Sequence, residues 1–485
     1  MRRTFFSAIF TILAAALFPQ DDIKNFVEEY LAGPELQPAV WSVSAAYADT
    51  GENIFNYNEK KSLSPGSNMK LITSAAALLG LGEDFRFETD LALYGEVSRG
   101  KLNGDLVIFG KGDPTVGSEF GGGGWGAAAA ARLVNDWLKR LEANSVALDI
   151  IADQSAFYPY GIPYGWPWGE LGSIYGAVPM PVNYHENVFV IQIFASGNSQ
   201  KSRTAKIEPF FPDLEIDNNL APGTGSDFVY SIFWPPFRDI LTLSGTIPDD
   251  GALYSIRCAD MKPGEALGHG IALELSALGA DVKAKPSSID ESYIPEKPLL
   301  METTLYSAPL SEILYYQNHR SVNLYAECIC KAIGWKMFSN FGTEYGAAGI
   351  EEILRGAGLP VENSMIFDGS GLFLGNLVTT ELICKLLVYM KNSPLSDAFY
   401  SSMAYAGDPQ SISFYQDIGA GTILAGNLKL KTGTLEGVKA HSGYLTGAKS
   451  GRPIAFSIIM NHFTVPVIEI AAIHEELMLL IAENY

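Results

Sequence analysis

The sequence is poor in basic residues, and this deficit limits the partners that the protein can have. Its 485 residues include 33 Lys and Arg against 54 Asp and Glu, which gives a formal net charge of −21 at pH 7. Phosphate backbones and anionic membrane surfaces repel a strongly acidic protein, so nucleic acid is not expected as a partner. With 47% hydrophobic and 18% charged residues, the composition is typical of a folded protein rather than a disordered one.

Cysteine and histidine are also scarce. Four cysteines are too few to define a disulfide framework, and we expect them to be small buried side chains. Six histidines are scattered along the chain without the paired spacing of a metal motif such as H-E-x-x-H. The sequence therefore predicts neither a metal site nor a bound cofactor.

Long apolar runs are absent except at the N-terminus. Two arginines follow Met1, an apolar run covers residues 4–18, and polar residues follow at 19–22. This order is typical of a secretory signal peptide, which we place at residues 1–20, and an uncleaved anchor is the alternative. We expect an exported protein, in the periplasm or at the exterior of the cell envelope, with no transmembrane helix in the mature chain.

Strand signals lie at both ends of the chain. The predicted strands are 40–47, 53–57, 427–435, 440–445 and 453–461. The first two flank a tight turn and form a hairpin, the last three form a meander, and a helix is predicted over residues 465–485. If the hairpin joins the meander, the fold is α/β (α+β), with one five-stranded antiparallel sheet flanked by helices.

The middle of the chain must then be an insertion. Residues 89–297 carry their own hairpin signals, at 91–94 and 105–109, and a helical run near 264–278. We predict one or two inserted accessory domains rich in β-structure, between a first part of the sheet domain and its second part. The predicted boundaries are 21–88, 89–297 and 298–485.

Ser67 and Lys70 stand at the start of an Ala- and Leu-rich stretch that predicts a buried helix over residues 71–79. A Ser and a Lys three residues apart on a helix project to the same side. The Lys70 amine could therefore take the proton of the Ser67 hydroxyl and make it a nucleophile. The alternative is that Ser67 only caps the helix.

Two further polar groups follow along the chain. Ser321 and Asn323 stand at a predicted helix start, where the serine could equally be a cap. The segment Lys431-Thr432-Gly433-Thr434 lies on a strand of the meander. Its glycine would let a substrate backbone approach closely, and its lysine could attract a carboxylate, unless the segment is only an exposed edge.

The order of the three groups is more specific than any one of them. Ser-x-x-Lys, Ser-x-Asn and Lys-Thr-Gly occur in this order in β-lactamases and penicillin-binding proteins. The longer gap separates the first two groups, where the insertion is predicted.

With these motifs, the chain resembles the serine D-Ala-D-Ala carboxypeptidases and endopeptidases of the penicillin-binding protein 4 type. The resemblance covers nearly the whole sequence after the predicted signal peptide. It also rests on residues 112–115, 166–168, 321–327, 368–372 and 431–435. It implies that residues 21–88 and 298–485 form a β-lactamase/transpeptidase-like domain. Within this set we interpret residues 368–371 as a Gly-rich structural turn, and a contribution to the site is the alternative.

The resemblance also implies the roles of individual residues. The implied roles are Ser67 as the acylated nucleophile, Lys70 as its base, Ser321 and Asn323 in proton relay and substrate positioning, Lys431 as the cation completing the cluster, and Thr432, Gly433 and Thr434 as substrate-binding residues. The backbone amides of Ser67 and Thr434 would form the oxyanion hole. A second cation near Lys70 lowers its pKa, and the sequence predicts that Lys431 is this cation.

The implied activity is D-Ala-D-Ala carboxypeptidase and D,D-endopeptidase action on peptidoglycan stem peptides, without a cofactor, with acylation by β-lactam antibiotics such as penicillin. Four places depart from the usual pattern: Gly66, Val322, residues 373–375 and His441. None of them removes a proposed catalytic group, but residues 373–375 affect the expected substrate preference. The alternatives are a β-lactamase-like hydrolase and an inactive cell-wall binding scaffold.

Overall fold

The computed structural model describes residues 19–120, 124–157, 161–197, 201–208, 214–223, 228–235, 238 and 240–485. Residues 1–18, which make up most of the predicted signal peptide, lie outside the described residues. The first described helix begins at Pro19.

The described residues form both strands and helices. The strands are β1 (Val40–Tyr47), β2 (Asn53–Tyr57), β3 (Glu88–Ser98), β4 (Lys101–Gly110), β5 (Ser145–Asp153), β6 (Val188–Phe194), β7 (Arg203–Glu208), β8 (Glu215–Gly223), β9 (Val229–Phe233), β10 (Ile240–Pro248), β11 (Leu253–Ala259), β12 (Asp281–Ile289), β13 (Leu299–Tyr306), β14 (Ala404–Tyr405), β15 (Lys429–Leu435), β16 (Val438–Thr446) and β17 (Pro453–Asn461). The helices are α1 (Pro19–Ala32), α2 (Met69–Leu81), α3 (Ala127–Arg140), α4 (Pro263–Ala277), α5 (Leu310–His319), α6 (Asn323–Phe338), α7 (Thr343–Gly356), α8 (Thr380–Lys391), α9 (Ser396–Ser402), α10 (Ser413–Asp417) and α11 (Val467–Asn484).

The two ends of the chain build one antiparallel sheet, as predicted. Its strand order is β14-β15-β16-β17-β1-β2. In this sheet β1 pairs with β17 over its whole length, from Val40 opposite Asn461 to Tyr47 opposite Ile454. The five predicted strands are confirmed, and the structure adds β14 at one edge. A strand of two residues is too short to show a periodic pattern, so the sequence could not reveal it.

Both faces of this sheet are covered by helices. Along β17, Ala455 and Ile459 belong to the hydrophobic core on one face. The alternate residues Phe456, Ile458 and Met460 belong to the core on the other face, which α1 and α11 cover. Because successive side chains of a strand point to opposite faces, this strand is apolar at nearly every position.

Helix α2 lies in the middle of the helical layer. Ten of its thirteen residues are buried, including Lys70 and Thr73. It contacts α5, α6, α7 and α8, so it is surrounded by other helices. The helix predicted over residues 71–79 is confirmed and is longer at both ends.

The inserted segment has a sheet of its own, with strand order β12-β5-β4-β3-β13. Strands β3 and β4 form the predicted hairpin, and β4, β5 and β12 run parallel. Helices α3 and α4 share the hydrophobic core of this sheet. The predicted helix near residues 264–278 is confirmed as α4.

Two small sheets complete the inserted segment. Their orders are β11-β6-β7 and β8-β10-β9, and residues of both sheets share a hydrophobic cluster. The division into domains stays a prediction. Strand β13 lies in the predicted segment 298–485 but pairs with β3, so we propose that the insertion continues to Tyr306.

The four cysteines are buried and unpaired, which agrees with their expected role as small core side chains. Within the described part of the chain, the structure contains no helix long and apolar enough to cross a membrane.

The contact between α6 and α7 depends on a glycine, which generates a first prediction. A Cβ atom added to Gly346 would lie 2.3 Å from the carbonyl oxygen of Cys330. We expect Gly346→Ala to push the two helices apart and to reduce the free energy of unfolding by roughly 1–3 kcal/mol, measured as a lower Tm. Gly356→Ala on the same helix is the control, because a Cβ there meets nothing within 4 Å. Equal losses in both variants would contradict the steric explanation.

Candidate active site

Ser67 lies in a single 3₁₀ turn, Gly66–Asn68, that leads directly into α2. The N-cap positions of this turn and of α2 are Pro65 and Asn68, so the alternative that Ser67 is a cap does not apply. Gly66 has φ of 50°, a left-handed conformation that glycine adopts without steric cost. A Cβ atom at Gly66 would lie 3.1 Å from the backbone nitrogen of Thr434, so the turn and β15 are in close contact.

The amine of Lys70 is fully buried and is bound by three oxygen atoms. Its Nζ lies 2.9 Å from Ser67 Oγ and 2.6 Å from Asn323 Oδ1. The third acceptor is the carbonyl oxygen of Ser370, at 3.0 Å. An ammonium can donate to all three, whereas a neutral amine donates to two and offers its lone pair to the hydroxyl of Ser67. The geometry therefore suits a base for this hydroxyl.

Burial lowers the pKa of Lys70 to about 7, while the nearby carboxylates of Glu327 and Asp368 act in the opposite direction. The sequence predicts Lys431 as a source of a low pKa for Lys70, whereas the structure makes burial the main cause. The pKa of Lys431 is itself lowered, first by burial and then by the charges of Lys70 and Lys439. At neutral pH a large fraction of Lys70 is thus free to accept a proton.

Ser321 and Lys431 form a second polar pair of the site. Lys431 Nζ donates to Ser321 Oγ at 2.9 Å and to the carbonyl oxygen of Thr432 at 2.8 Å. Ser321 is not the cap of α6, because Val322 occupies the cap position. Its φ of 56° is left-handed, which costs a residue with a Cβ about 1–2 kcal/mol and is commonest at functional sites.

Asn323 is the first residue of α6 and joins two parts of the chain. Its Oδ1 accepts from Lys70, and its Nδ2 donates to the carbonyl oxygen of Tyr175 at 2.9 Å. Tyr175 belongs to the predicted insertion, so the inserted segment reaches the site at this point. The two bonds fix the orientation of the amide, with its oxygen toward the amine.

Strand β15 runs beside the turn that carries Ser67. A Cβ atom at Gly433 would lie 2.2 Å from the carbonyl oxygen of Pro65 and 3.1 Å from the backbone nitrogen of Ser67. The N–H of Thr432 donates to Tyr415 Oη at 2.9 Å. Alternate N–H groups of a strand point to the same edge, so the N–H of Thr434 faces the same side. The backbone amides of Ser67 and Thr434 are thereby brought close together.

The turn at residues 368–371, which we interpret from the sequence as a structural turn with a role in the site as the alternative, contacts the base directly. The carbonyl oxygen of Ser370 accepts from Lys70, and that of Gly369 accepts from Thr73 Oγ1 at 2.7 Å. A Cβ atom at Gly371 would lie 1.9 Å from the carbonyl oxygen of Gly66. The turn is therefore packed against the nucleophile and its base, and the interpretation as a structural turn alone is wrong.

Two buried carboxylates hold this turn in place. Glu327 accepts from the N–H groups of Gly369 and Ser370, at 3.2 and 2.8 Å. Burial, followed by the charge of Asp368, raises the pKa of Glu327 to about 7. Burial also raises the pKa of Asp368. Two carboxylates in one buried region favour a state in which they share a proton.

Asp368 is the centre of the turn. It accepts from the N–H groups of Gly371 and Phe373, from Asn376 Nδ2, and from Trp166 Nε1. Trp166 is a second contact from the inserted segment. The sequence contained a signal for Glu327 that our prediction did not use: a carboxylate in the apolar run that follows Asn323, where an ionisable side chain must find partners.

The fold and these side chains define the class of the protein. It has a β-lactamase/transpeptidase-like sheet with helices on both faces, and a serine and a buried lysine at the start of the central helix.

Comparisons with known proteins agree with this class. The D-Ala-D-Ala carboxypeptidase 3 (S13) family matches residues 23–476. A D-alanyl-D-alanine carboxypeptidase of Actinomadura sp. (strain R39) is 30% identical over 467 residues, covering 92% of this chain and 82% of the relative. The chain belongs to the D-Ala-D-Ala carboxypeptidase 3 (S13) family and is a serine-type D-Ala-D-Ala carboxypeptidase.

Solved structures show the same fold. The crystal structure of penicillin binding protein 4 from Haemophilus influenzae is similar with a TM-score of 0.76 and 22% identity, covering 92% of this chain and 94% of that chain. A structure of the same Haemophilus influenzae protein complexed with a β-lactam has a TM-score of 0.72 and 21% identity over the same shares.

The pKa of Lys70 generates a second prediction. Below pH 7 the ammonium keeps its proton and cannot accept that of Ser67, whereas above pH 7 the neutral amine can. We expect the rate constant for acylation by penicillin, measured by stopped-flow or quenched mass analysis, to rise about tenfold per pH unit up to about pH 7 and then to level off. A rate that is independent of pH in this window would contradict the role of Lys70 as base.

Glu327→Gln is the matched control, because the pKa of Glu327 lies in the same range. If Lys70 is the titrating group, the curve persists in this variant. It should move to lower pH, because the variant removes a negative charge that raises the pKa of Lys70. Loss of the pH dependence in Glu327→Gln would assign the titration to Glu327 instead.

Proposed function

We propose that this protein cleaves the terminal D-Ala-D-Ala bond of peptidoglycan stem peptides through an acyl-enzyme on Ser67. The observation that carries the proposal is the 2.9 Å hydrogen bond between Ser67 Oγ and the fully buried amine of Lys70. A hydroxyl is a weak nucleophile, and a neutral amine in contact with it removes its proton as it attacks.

In the acylation step, Ser67 Oγ forms a bond to the carbonyl carbon of the penultimate D-alanine, and the hydroxyl proton passes to Lys70. The negative charge that develops on the carbonyl oxygen is stabilised by the backbone amides of Ser67 and Thr434. The proximity of the 3₁₀ turn to β15 supports this role, since a Cβ at Gly66 would lie 3.1 Å from the Thr434 nitrogen.

The leaving amine of D-alanine must gain a proton as the peptide bond breaks. Ser321 Oγ, which accepts a hydrogen bond from Lys431, is the proposed relay of this proton, and Asn323 positions the Lys70 amine. Hydrolysis of the ester by water then frees Ser67. Thr432 and Gly433 complete the substrate-binding strand, where the missing side chain of Gly433 permits close contact.

The same acyl-enzyme can form from two other substrates. In a cross-linked stem peptide the D-alanine carbonyl is the same and only the leaving amine differs, so the proposal includes D,D-endopeptidase action. The complex of the Haemophilus influenzae protein with a β-lactam supports acylation of Ser67 by these drugs. Because peptidoglycan lies outside the cytoplasmic membrane, the proposal also requires export of the protein, to the periplasm or to the exterior of the cell envelope.

The test of the function is the mass of the intact protein after incubation with penicillin, together with D-alanine release from a peptide that ends in D-Ala-D-Ala. We expect a stable adduct and D-alanine release with the wild type. Ser67→Ala should lose both, by roughly 10³-fold or more. Ser62→Ala is the control, because this exposed serine lies only five residues earlier and bonds to the carbonyl oxygen of Asn363.

Two other outcomes would point to the alternatives. Rapid hydrolysis of the drug without D-alanine release would indicate a β-lactamase. Absence of an adduct in the wild type would indicate an inactive cell-wall binding protein.

A further inference from the structure

A further buried lysine, besides Lys70 and Lys431, stands behind the substrate-binding strand, and the proposed mechanism does not use it. Lys439 lies on β16, directly opposite Thr434 on β15. Its side chain is only 5% exposed, and its ammonium lies 4.6 Å from the centre of the Phe414 ring. Its Nζ donates to Thr432 Oγ1 at 3.2 Å and to Thr434 Oγ1 at 2.9 Å.

The charge of Lys439 has no anionic partner among the described residues. Its hydrogen bonds go to two neutral hydroxyl groups, and burial is the main cause that lowers its pKa, to about 8. At neutral pH the Lys439 amine is therefore still protonated in most of the protein molecules. A buried cation without a carboxylate is unfavourable for folding, and an anionic ligand would relieve this cost.

The two histidines nearby do not supply this charge. His441 lies opposite Thr432 in the β15–β16 pairing, and its Nδ1 lies 3.2 Å from Nδ1 of His474 on α11. Burial and the charge of Lys439 lower the pKa of His474 to about 3, and they lower that of His441 well below its usual value. Both imidazoles are neutral at neutral pH, so Lys439 carries the positive charge on this side of the strand.

The bonds from Lys439 also decide which way the two hydroxyl groups point. A hydroxyl that accepts from an ammonium keeps its own hydrogen for a different acceptor. Thr432 and Thr434 are two residues apart on one strand, so their side chains project to the same face. Thr434 is exposed, so its O–H group is available to a ligand on the open side, whereas Thr432 is buried beside Lys439.

The position of these threonines relative to the nucleophile suits the end of a peptide. Gly433, between them, packs against the backbone of Ser67. In a substrate, the C-terminal carboxylate is separated from the scissile carbonyl by one residue, a distance of about 3.5 Å along the chain. A carboxylate held at the threonines would therefore belong to a peptide whose scissile bond is at Ser67.

We propose that Lys439 is a positioning residue that makes the enzyme selective for a free C-terminal carboxylate, by orienting the hydroxyl groups of Thr432 and Thr434 and by placing a positive charge behind them. This inference rests on the function proposed above.

The experiment compares two substrates that differ only at the end of the peptide. One ends in D-Ala-D-Ala with a free carboxylate, and the other ends in the C-terminal amide, which carries no charge. We expect the wild type to prefer the carboxylate. Lys439→Met keeps the length of the side chain but removes its charge, and it should raise KM for the carboxylate roughly tenfold or more. We expect kcat and the rate with the amide substrate to be nearly unchanged in this variant. The preference for the carboxylate substrate therefore disappears.

Three further variants sharpen the test. Lys439→Arg keeps the charge and should keep the preference, and Lys449→Met removes an exposed lysine elsewhere and should change nothing. Thr434→Val alters an exposed side chain and should weaken the preference even if Lys439→Met does not fold.

An unchanged preference in a folded Lys439→Met variant, or in Thr434→Val, would overturn the inference. Equal losses of kcat for both substrates would also overturn it, because they would indicate a structural role. Failure of the proposed function would look different, since the wild type itself would release no product from either peptide.

Discussion

The burial of the Lys70 amine is the constraint on which the rest of the site depends. A buried lysine needs acceptors for the hydrogens of its amine. Here the acceptors come from three separate parts of the chain: Ser67, Asn323 and Ser370. Each acceptor in turn has to be fixed. The carbonyl of Ser370 is held because Glu327, one turn beyond Asn323 on the same helix, binds the N–H groups of the turn. Helix α6 thus acts on the base both directly and through the turn.

The two ends of the chain meet at this base, and they can do so because residues without side chains lie at the contact. Gly66 and Gly433 bring the 3₁₀ turn of the nucleophile against strand β15, and any side chain at Gly433 would overlap the carbonyl oxygen of Pro65. The inserted segment also contributes, since Tyr175 and Trp166 bind Asn323 and Asp368. Both ends of the chain and the inserted segment therefore contribute contacts to the site.

The sequence was sufficient for what depends on spacing and periodicity. Ser67 and Lys70 share one helical turn, and the strands of the central sheet are long runs with clear boundaries, so both could be predicted. The sequence was insufficient to predict contacts that join distant segments through backbone atoms. The turn at residues 368–371 acts through a carbonyl oxygen, which every residue type possesses. The cause of the low pKa of Lys70 was assigned to another lysine, because spacing shows which charges exist but not how deeply an amine is buried.

Charge is distributed unevenly in the site. The lysines lie where the peptide end binds, and the carboxylates lie near the base. The protein as a whole carries a formal charge of −21, yet Lys431 and Lys439 lie buried on the β15 side, and neither is bonded to a carboxylate of the described residues. The two buried carboxylates, Glu327 and Asp368, lie instead on the side of Lys70. An anionic peptide end is attracted to the cationic side, while the carboxylates limit how far burial can lower the pKa of the base. Had the carboxylates been next to β15, they would have neutralised the cations that a peptide carboxylate needs and left Lys70 with a still lower pKa.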